Sequence, residues 1–468
     1  MKSLICLSLI CFGAQCGIVA ASPSSVAPSQ ILTSGTNGFQ SFGTSVTVDG
    51  RTMVIGAPYS GDRHTGAAYI YSQQDGTWTL EQRLLPPHPL QTFGYFGMSV
   101  AVNGDTVVIG VGSESSDPNE TYVYVRGTNG WTLQQILDVR GHVAIHGDNI
   151  LVGDYSASVH RGTSDLDEAG VAYVFVRSSG VWTLQQRLNA SDARASDYFG
   201  RGVAIEGDTA VIGAIGDLST SDESGAAYVF IRNGTNWAQM QKLRASDPQR
   251  AADFGRALDL HGDVLVIGAP GYVDSTDQYR QPGHAYVFFR SGGTWAQQEK
   301  LTASDAAPRD GFGVSVAVTD HQIFVDQFSS SPSVYTELRP GSVYVFRRLG
   351  GSWVEQGKLA PNAGQVPDVF GIAVAADRDT LVVGDPTIVG SAYVYERLVF
   401  GRLRHTPPGL TLSFASELYR TYTVECTDSL QPPILWQTTT NVTGDGSVVE
   451  VPANPVGTMR FYRVVPAP

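Results

Sequence analysis

An all-β fold is predicted for this chain of 468 residues: a seven-bladed β-propeller with four strands per blade, then a small β-sandwich-like domain. Three observations predict it. A unit typified by Tyr198 to Leu243 recurs in phase along the chain: a Phe-Gly pair, a short turn, an apolar run, a polar loop, a Tyr-Val-Phe run and a Trp-to-Leu run. Repeats of that length, each holding several strands, mark a propeller or similar array. The second apolar run of each unit is hydrophobic on both faces, so something must cover both, and in a propeller the neighbouring blades do so. After Arg397 the period stops, and short strand runs alternate with turn clusters.

Taken in order, the chain opens on Met1 to Ala21, which reads as a secretion signal. Lys2 supplies the positive start, Leu4 to Phe12 an apolar stretch, and Val19-Ala20-Ala21 small residues before a cut at Ser22. The apolar stretch is too short to span a bilayer, and no later segment reads as a span. Cys6, Cys11 and Cys16 leave with the signal, so Cys426 stands alone and is expected to be buried and inert.

Six units begin at Phe42-Gly43, Phe96-Gly97, Phe199-Gly200, Phe254-Gly255, Phe312-Gly313 and Phe370-Gly371, and a seventh at Arg140-Gly141, where the Phe is lost. The first strand of each follows the Phe-Gly. A tight turn such as Asn103-Gly104-Asp105 or Glu206-Gly207-Asp208 leads to the second, because Gly tolerates positive φ. The third carries alternating aromatics, as in Tyr228-Val229-Phe230. The fourth runs from Trp to Leu in six units: Trp78–Leu84, Trp131–Leu137, Trp182–Leu188, Trp237–Leu243, Trp295–Leu301 and Trp353–Leu359. Such strict repetition assigns these Trp residues to packing between blades rather than to ligand stacking.

The last unit has no such strand after Tyr395, and the missing piece lies at the other end of the chain. In Val26 to Leu32, Gln30 and Leu32 have the spacing of Gln82 and Leu84. This segment is predicted to pair with Ala392–Glu396 and complete the seventh blade, leaving no blade unpaired. Pro28 suits its edge position. The propeller is thus assigned to residues 22–397, a basic connector to 398–408, and the small domain to 409–468.

Phe-Gly followed by Gly-Ala-Pro (Gly56-Ala57-Pro58, Gly268-Ala269-Pro270) resembles the FG-GAP repeat of integrin α-subunit propellers and of many bacterial secreted proteins. The resemblance covers about residues 26–397. The other units have drifted at the second motif, to Gly110-Val111-Gly112, Gly153-Asp154-Tyr155, Gly213-Ala214-Ile215, Asp326-Gln327-Phe328 and Gly384-Asp385-Pro386. The C-terminal stretch, from Tyr422-Thr423-Val424-Glu425 to Phe461-Tyr462-Arg463, is similar to small β-domains appended to many secreted bacterial proteins.

The resemblance raises calcium, which integrin-type units often hold in the turn between the first two strands. Calcium takes six or more oxygens. The turns here, Asp49-Gly50 through Asp377-Arg378-Asp379, are short hairpins with one or two carboxylates each, so no metal or other cofactor is expected. The loops between second and third strands are the better place for a site: Asp165, Asp167 and Glu168 in the third blade, Asp222 and Glu223 in the fourth, Asp274 and Asp277 in the fifth. In a propeller these loops share one rim with the connections between blades, such as Ser191-Asp192 and Ser304-Asp305.

The formal net charge of −13 argues against nucleic acid and anionic membranes as partners. No phosphate loop, Gly-x-Ser-x-Gly elbow or zinc-type His pair occurs, so no catalytic residue is assigned. The expected function is a secreted or cell-surface, monomeric binding or adhesion-type module that recognises a protein or glycan through its rim loops. A polysaccharide lyase or hydrolase using rim carboxylates, or an envelope structural protein, are the alternatives.

Overall fold

In the computed structural model each unit becomes a four-stranded antiparallel sheet, because its turns are short and its second strand is buried on both faces. The structure describes residues 10–12, 15–17, 27–35, 40–61, 64–88, 94–112, 119–161, 164–216, 224–271, 281–328, 341–361, 369–387, 390–396, 398, 401–406, 409–416, 420–427, 437–445, 447–453 and 461–466. From the centre outward, the fourth blade consists of Phe199–Glu206, Thr209–Ala214, Ala226–Asn233 and Asn236–Leu243. The other blades repeat that order. Residues of all seven innermost strands, among them Val46, Val143, Val203 and Val374, line one central channel. Among the described residues no helix is long and apolar enough to cross a membrane.

The seventh blade is closed as the sequence predicts. Gln30–Leu32 pairs antiparallel with Ala392–Val394 as the outermost strand, and Ser29 N–H donates to the Val394 carbonyl at 2.7 Å. Leu32 is only 4% exposed and packs with Val48, Trp78 and Val394.

Both halves of the repeat motif meet where blades abut. The motif Phe lies edge-on to a Tyr of its own blade's third strand, as in Phe96–Tyr122 at 5.0 Å and Phe199–Tyr228 at 5.5 Å. Its backbone bridges to the glycine that opens the preceding blade's third strand: Phe42 to Gly390, Phe96 to Gly66, Phe254 to Gly225. The glycine ending one blade's second strand touches the Phe-Gly glycine of the next. A Cβ on Gly56 would lie 2.0 Å from the Gly97 carbonyl oxygen, so no side chain fits.

Two belts of polar contacts then run around the ring. In the outer belt a Gln two residues before the terminal Leu grips the next blade's outermost strand through its Trp backbone. Gln186 donates to the Trp237 carbonyl at 2.8 Å and accepts from Trp237 N–H at 2.8 Å. The same double bond joins Gln82 to Trp131, Gln135 to Trp182 and Gln241 to Trp295. The closing strand takes part too: Gln30 donates to Trp78 O at 2.7 Å and accepts from Trp78 N at 2.9 Å. Glu299 keeps only the bond from Trp353 N–H, at 2.8 Å. At the next position the sequence has Gly357, and the seventh blade has no Trp for it to grip.

The inner belt is built from the short turns. The residue that opens the turn, before Gly in most blades and before Arg378 in the seventh, accepts a backbone N–H from the next blade's turn: Asp49 from Gly104, Asn103 from Gly147, Glu206 from Gly262, Asp377 from Gly50. The Asp after the glycine serves its own blade. Asp148, Asp208 and Asp263 each accept from Nε of an Arg (Arg177, Arg232, Arg290) at 2.7 Å. Those guanidinium groups stack over Trp182, Trp237 and Trp295 at 5.0–5.3 Å. The carboxylates weighed as calcium ligands in the sequence thus have protein partners.

The connector needs a correction. Gly401–Thr406 is a strand that pairs with Gly409–Ala415, Thr406 being the partner of Gly409, so residues 401–406 of the assigned connector belong to the small domain's sheet. The small domain therefore begins at residue 401. It comprises two three-stranded sheets, Gly401–Thr406/Gly409–Ala415/Val448–Ala453 and Gln437–Thr443/Thr421–Thr427/Phe461–Pro466. Leu412, Phe414 and Val451 of one pack against Tyr422, Val424 and Val464 of the other. Cys426 is free and buried there. Arg420 makes a bidentate ion pair with Asp379 in the seventh blade's turn, at 2.8 Å for each bond. In the segment read as a secretion signal, Ile10–Phe12 pairs with Gln15–Gly17.

Candidate functional site: the rim and channel mouth of blades three to five

The loops between second and third strands lie against the entry to the next blade, as propeller geometry requires. In the third blade this loop adds a hairpin not foreseen in the sequence, Val159–Arg161 paired with Ser164–Leu166. Val159 and Leu166 anchor it on Ala169 and Val171. The hairpin presents Asp165, which is well exposed, with one carboxylate oxygen 2.6 Å from His160 Nδ1. Asp167 receives Ser158 Oγ–H at 3.3 Å, and its carbonyl accepts Ser196 N–H at 2.8 Å. Glu168 sits at φ 52° and accepts the Tyr198 hydroxyl at 3.2 Å. These three carboxylates share one loop beside the fourth blade's entry. Asp222, Glu223, Asp274 and Asp277 lie outside the described residues.

The connections between blades are structural. Asp192 receives Lys242 Nζ at 2.6 Å and the Tyr228 hydroxyl at 2.9 Å. Asp247 repeats this with Lys300 at 2.6 Å and Tyr286 at 3.1 Å, and Asp305 with Lys358 and Tyr344. Burial opposes ionisation, but the Lys and Tyr hydrogen bonds prevail and hold all three carboxyls below their ordinary range. Each Asp belongs to an Ala-Ser-Asp triplet following the terminal Leu, a signal visible in the sequence at 190–192, 245–247 and 303–305.

Sequence reasoning missed the channel mouth. The residue after each Phe-Gly lines the channel, and across the seven blades it is Thr44, Met98, His142, Arg201, Arg256, Val314 and Ile372. Four are neutral or apolar, whereas the third, fourth and fifth blades supply a His and two Arg. Arg201 Nη1 lies 2.9 Å from His142 Nε2, and its guanidinium stacks over Tyr155 at 5.4 Å. Tyr155 in turn packs near His142 and Tyr198, with ring centroids 5.8 and 6.4 Å apart. Arg256 pairs with Asp253 at 3.6 Å, beyond hydrogen-bond length. Burial first, then Arg201 and Arg256, push the His142 pKa well down, so this imidazole is neutral. Burial raises the Asp253 carboxyl against the pull of the two Arg.

The backbone here is strained as well. The residue before the motif Phe is left-handed in four blades although it carries a side chain: Ser41, Tyr95, Tyr198 and Asp253, at φ 49–56°. The kink turns the chain from the outer rim into the channel, so the next residues face the mouth.

Among the described residues no group of three or more His, Cys, Asp or Glu converges as a metal site. Comparison with protein families matches the FG-GAP repeat over residues 29–71, 182–230, 237–288, 295–346 and 353–395, together just over half of the chain. The first matched segment begins one residue before the closing strand, and the others begin one residue inside an outermost strand. The repeat in sequence is therefore offset from the blade by one strand, which is why the ring closes with strands from both ends. The unmatched stretch 72–181 holds Gly110-Val111-Gly112 and the Phe-less start at Arg140. No curated protein matches the chain.

Proposed function

The chain belongs to the FG-GAP repeat family, and on that premise we propose that it is a secreted or cell-surface, non-enzymatic binding propeller that recognises a glycan or protein at the rim of its third to fifth blades. One observation carries this reading. The recurring polar positions (the Gln belt, the turn carboxylates, the Ala-Ser-Asp triplets) are taken up by contacts within and between blades. Among the described residues, polar side chains that do not recur from blade to blade include a set on one rim: Asp165, Asp167 and Glu168 on the third blade's loop and Arg201 and Arg256 at the channel mouth. A rigid ring that carries such a set on one rim has the form of a scaffold for recognition.

The test is binding of the full chain to an array of extracellular glycans and proteins, repeated with a triple variant Asp165→Asn, Asp167→Asn, Glu168→Gln. These changes remove charge while keeping shape. A loss of at least about tenfold, on the order of 1.4 kcal/mol, is expected. Unchanged binding to every array partner contradicts the rim assignment.

A further inference from the structure

We infer that the mouth of the central channel is a carboxylate-binding subsite for the terminal acidic sugar of a glycan, with Arg201 and Arg256 as the cationic walls and Tyr155 and Tyr198 as the adjoining aromatic faces. The inference deepens the proposed rim function and rests on it. The channel has a volume of about 930 Å³, within the range of small-ligand sites. Apart from these Arg, its lining is mostly apolar and small, as at Val46, Val100, Val143 and Val203.

Charge at the mouth favours an anion. The two guanidinium groups are permanently charged. His142, which could have added a proton, is held neutral, and burial drives the Asp253 carboxyl beside Arg256 toward its neutral form, as it does Asp326, a second carboxyl that feels the Arg256 charge. The Arg256–Asp253 contact at 3.6 Å is loose enough for a closer anion to replace it. Arg201 is held in place by His142 Nε2 and the Tyr155 ring, so it presents a pre-oriented fork, which suits a carboxylate.

Surrounding charge limits the ligand's size. With a net charge of −13 and Asp165, Asp167 and Glu168 on the same rim, a long polyanion is repelled along most of its length. A single terminal carboxylate entering the mouth avoids that repulsion. The Tyr155 and Tyr198 rings beside Arg201 favour a sugar ring over an acidic peptide side chain, because a sugar offers C–H faces to stack.

The experiment titrates the wild-type full chain, by calorimetry at low salt, with a disaccharide ending in glucuronate, the same disaccharide ending in glucose, and N-acetyl-glutamate amide. The glucuronate compound is expected to bind at least about tenfold more tightly than either of the others. Arg256→Gln and Arg201→Gln are each expected to weaken it by a further tenfold or more, with melting curves to show that the ring is intact. Equal binding of the glucose compound, or no binding of the glucuronate compound, overturns the inference. Tighter binding of the glutamate derivative overturns the sugar assignment in favour of a protein ligand. An array partner that binds wild type and both Arg variants equally leaves the rim reading standing and removes this one.

Discussion

Gln30→Ala tests ring closure with the least disturbance. The substitution removes a half-buried side chain that donates to Trp78 O at 2.7 Å and accepts from Trp78 N at 2.9 Å, and it leaves the strand pairing of Gln30–Leu32 with Ala392–Val394 in place. Two such bonds contribute about 1 kcal/mol each, so the expected loss is about 2 kcal/mol. The unfolding entropy of a cooperative unit of several hundred residues converts each kcal/mol into roughly 1–1.5 °C, so the melting temperature should fall by about 2–3 °C. Leu32→Ala, at a site 4% exposed, should cost more, about 2–5 kcal/mol. The assay is thermal unfolding by circular dichroism, with Gln82→Ala as the internal comparison, since Gln82 makes the same pair of bonds to Trp131. Gly357→Gln is the negative control, because no Trp faces it. If Gln30→Ala and Gln82→Ala both melt like wild type, the outer belt is idle and the reasoning fails. If only Gln30→Ala does, the closing strand is not part of the belt.

Further predictions concern the two blades where the pattern is altered. Glu299→Gln restores the donor that the carboxylate lacks, so a bond to the Trp353 carbonyl should form and stability rise by about 0.5–1 kcal/mol; an unchanged or lower melting temperature contradicts this. Asp326 stands where other blades carry the interface glycine. It is fully buried, and its Oδ2 has no hydrogen-bond partner among the described residues. Burial raises its pKa well above the ordinary value, against the Ser315 N–H bond to Oδ1 at 2.7 Å. The folded state thus holds this proton more tightly than the unfolded chain, whose value is about 4. The stabilisation is complete below that pH and is lost as pH rises through the folded value. Asp326→Asn keeps the Ser315 bond and removes the titration, so melting temperature plotted from pH 4 upward should slope less steeply downward than in wild type. Parallel curves would exclude Asp326 as the source.

Most of the ring was legible because packing repeats. Phe-Gly, the buried second strand and Trp-to-Leu each answer to one contact made in nearly every blade, so phase alone located them. The offset of the closing strand could be read from Gln30 and Leu32 for the same reason. The belts were legible in principle, as Gln or Glu two residues before Leu and as Ala-Ser-Asp after it. Their roles required knowing which blade lies next door. The channel mouth was harder, because His142, Arg201 and Arg256 break the pattern instead of repeating it. The strand at 401–406 was hidden because Pro407-Pro408 in the sequence reads as the end of a connector, and what makes a strand of 401–406 is its pairing with Gly409–Ala415.

The irregular residues fall into two groups, and their separation around the ring has a physical meaning. Gly357 lacks the Gln, the seventh blade lacks the Trp, and Asp326 replaces the interface glycine, so three departures coincide where the sixth blade meets the seventh. That junction is also the one beside the blade completed by residues 30–32 against 392–394, a contact between chain ends whose loop-closure cost is the largest in the ring. Its neighbour on the other side, from the seventh blade to the first, keeps the Gln30–Trp78 clasp and the Asp377–Gly50 bond. The ring is therefore weakest at a single seam, whereas the junctions among the third, fourth and fifth blades keep the full Gln–Trp clasp. The mouth formed by Arg201 and Arg256 lies on that fully clasped arc. The Arg201 fork, held by His142 and Tyr155, loses less ordering entropy on binding than a flexible one, so placing it on the rigid arc favours recognition without a conformational change.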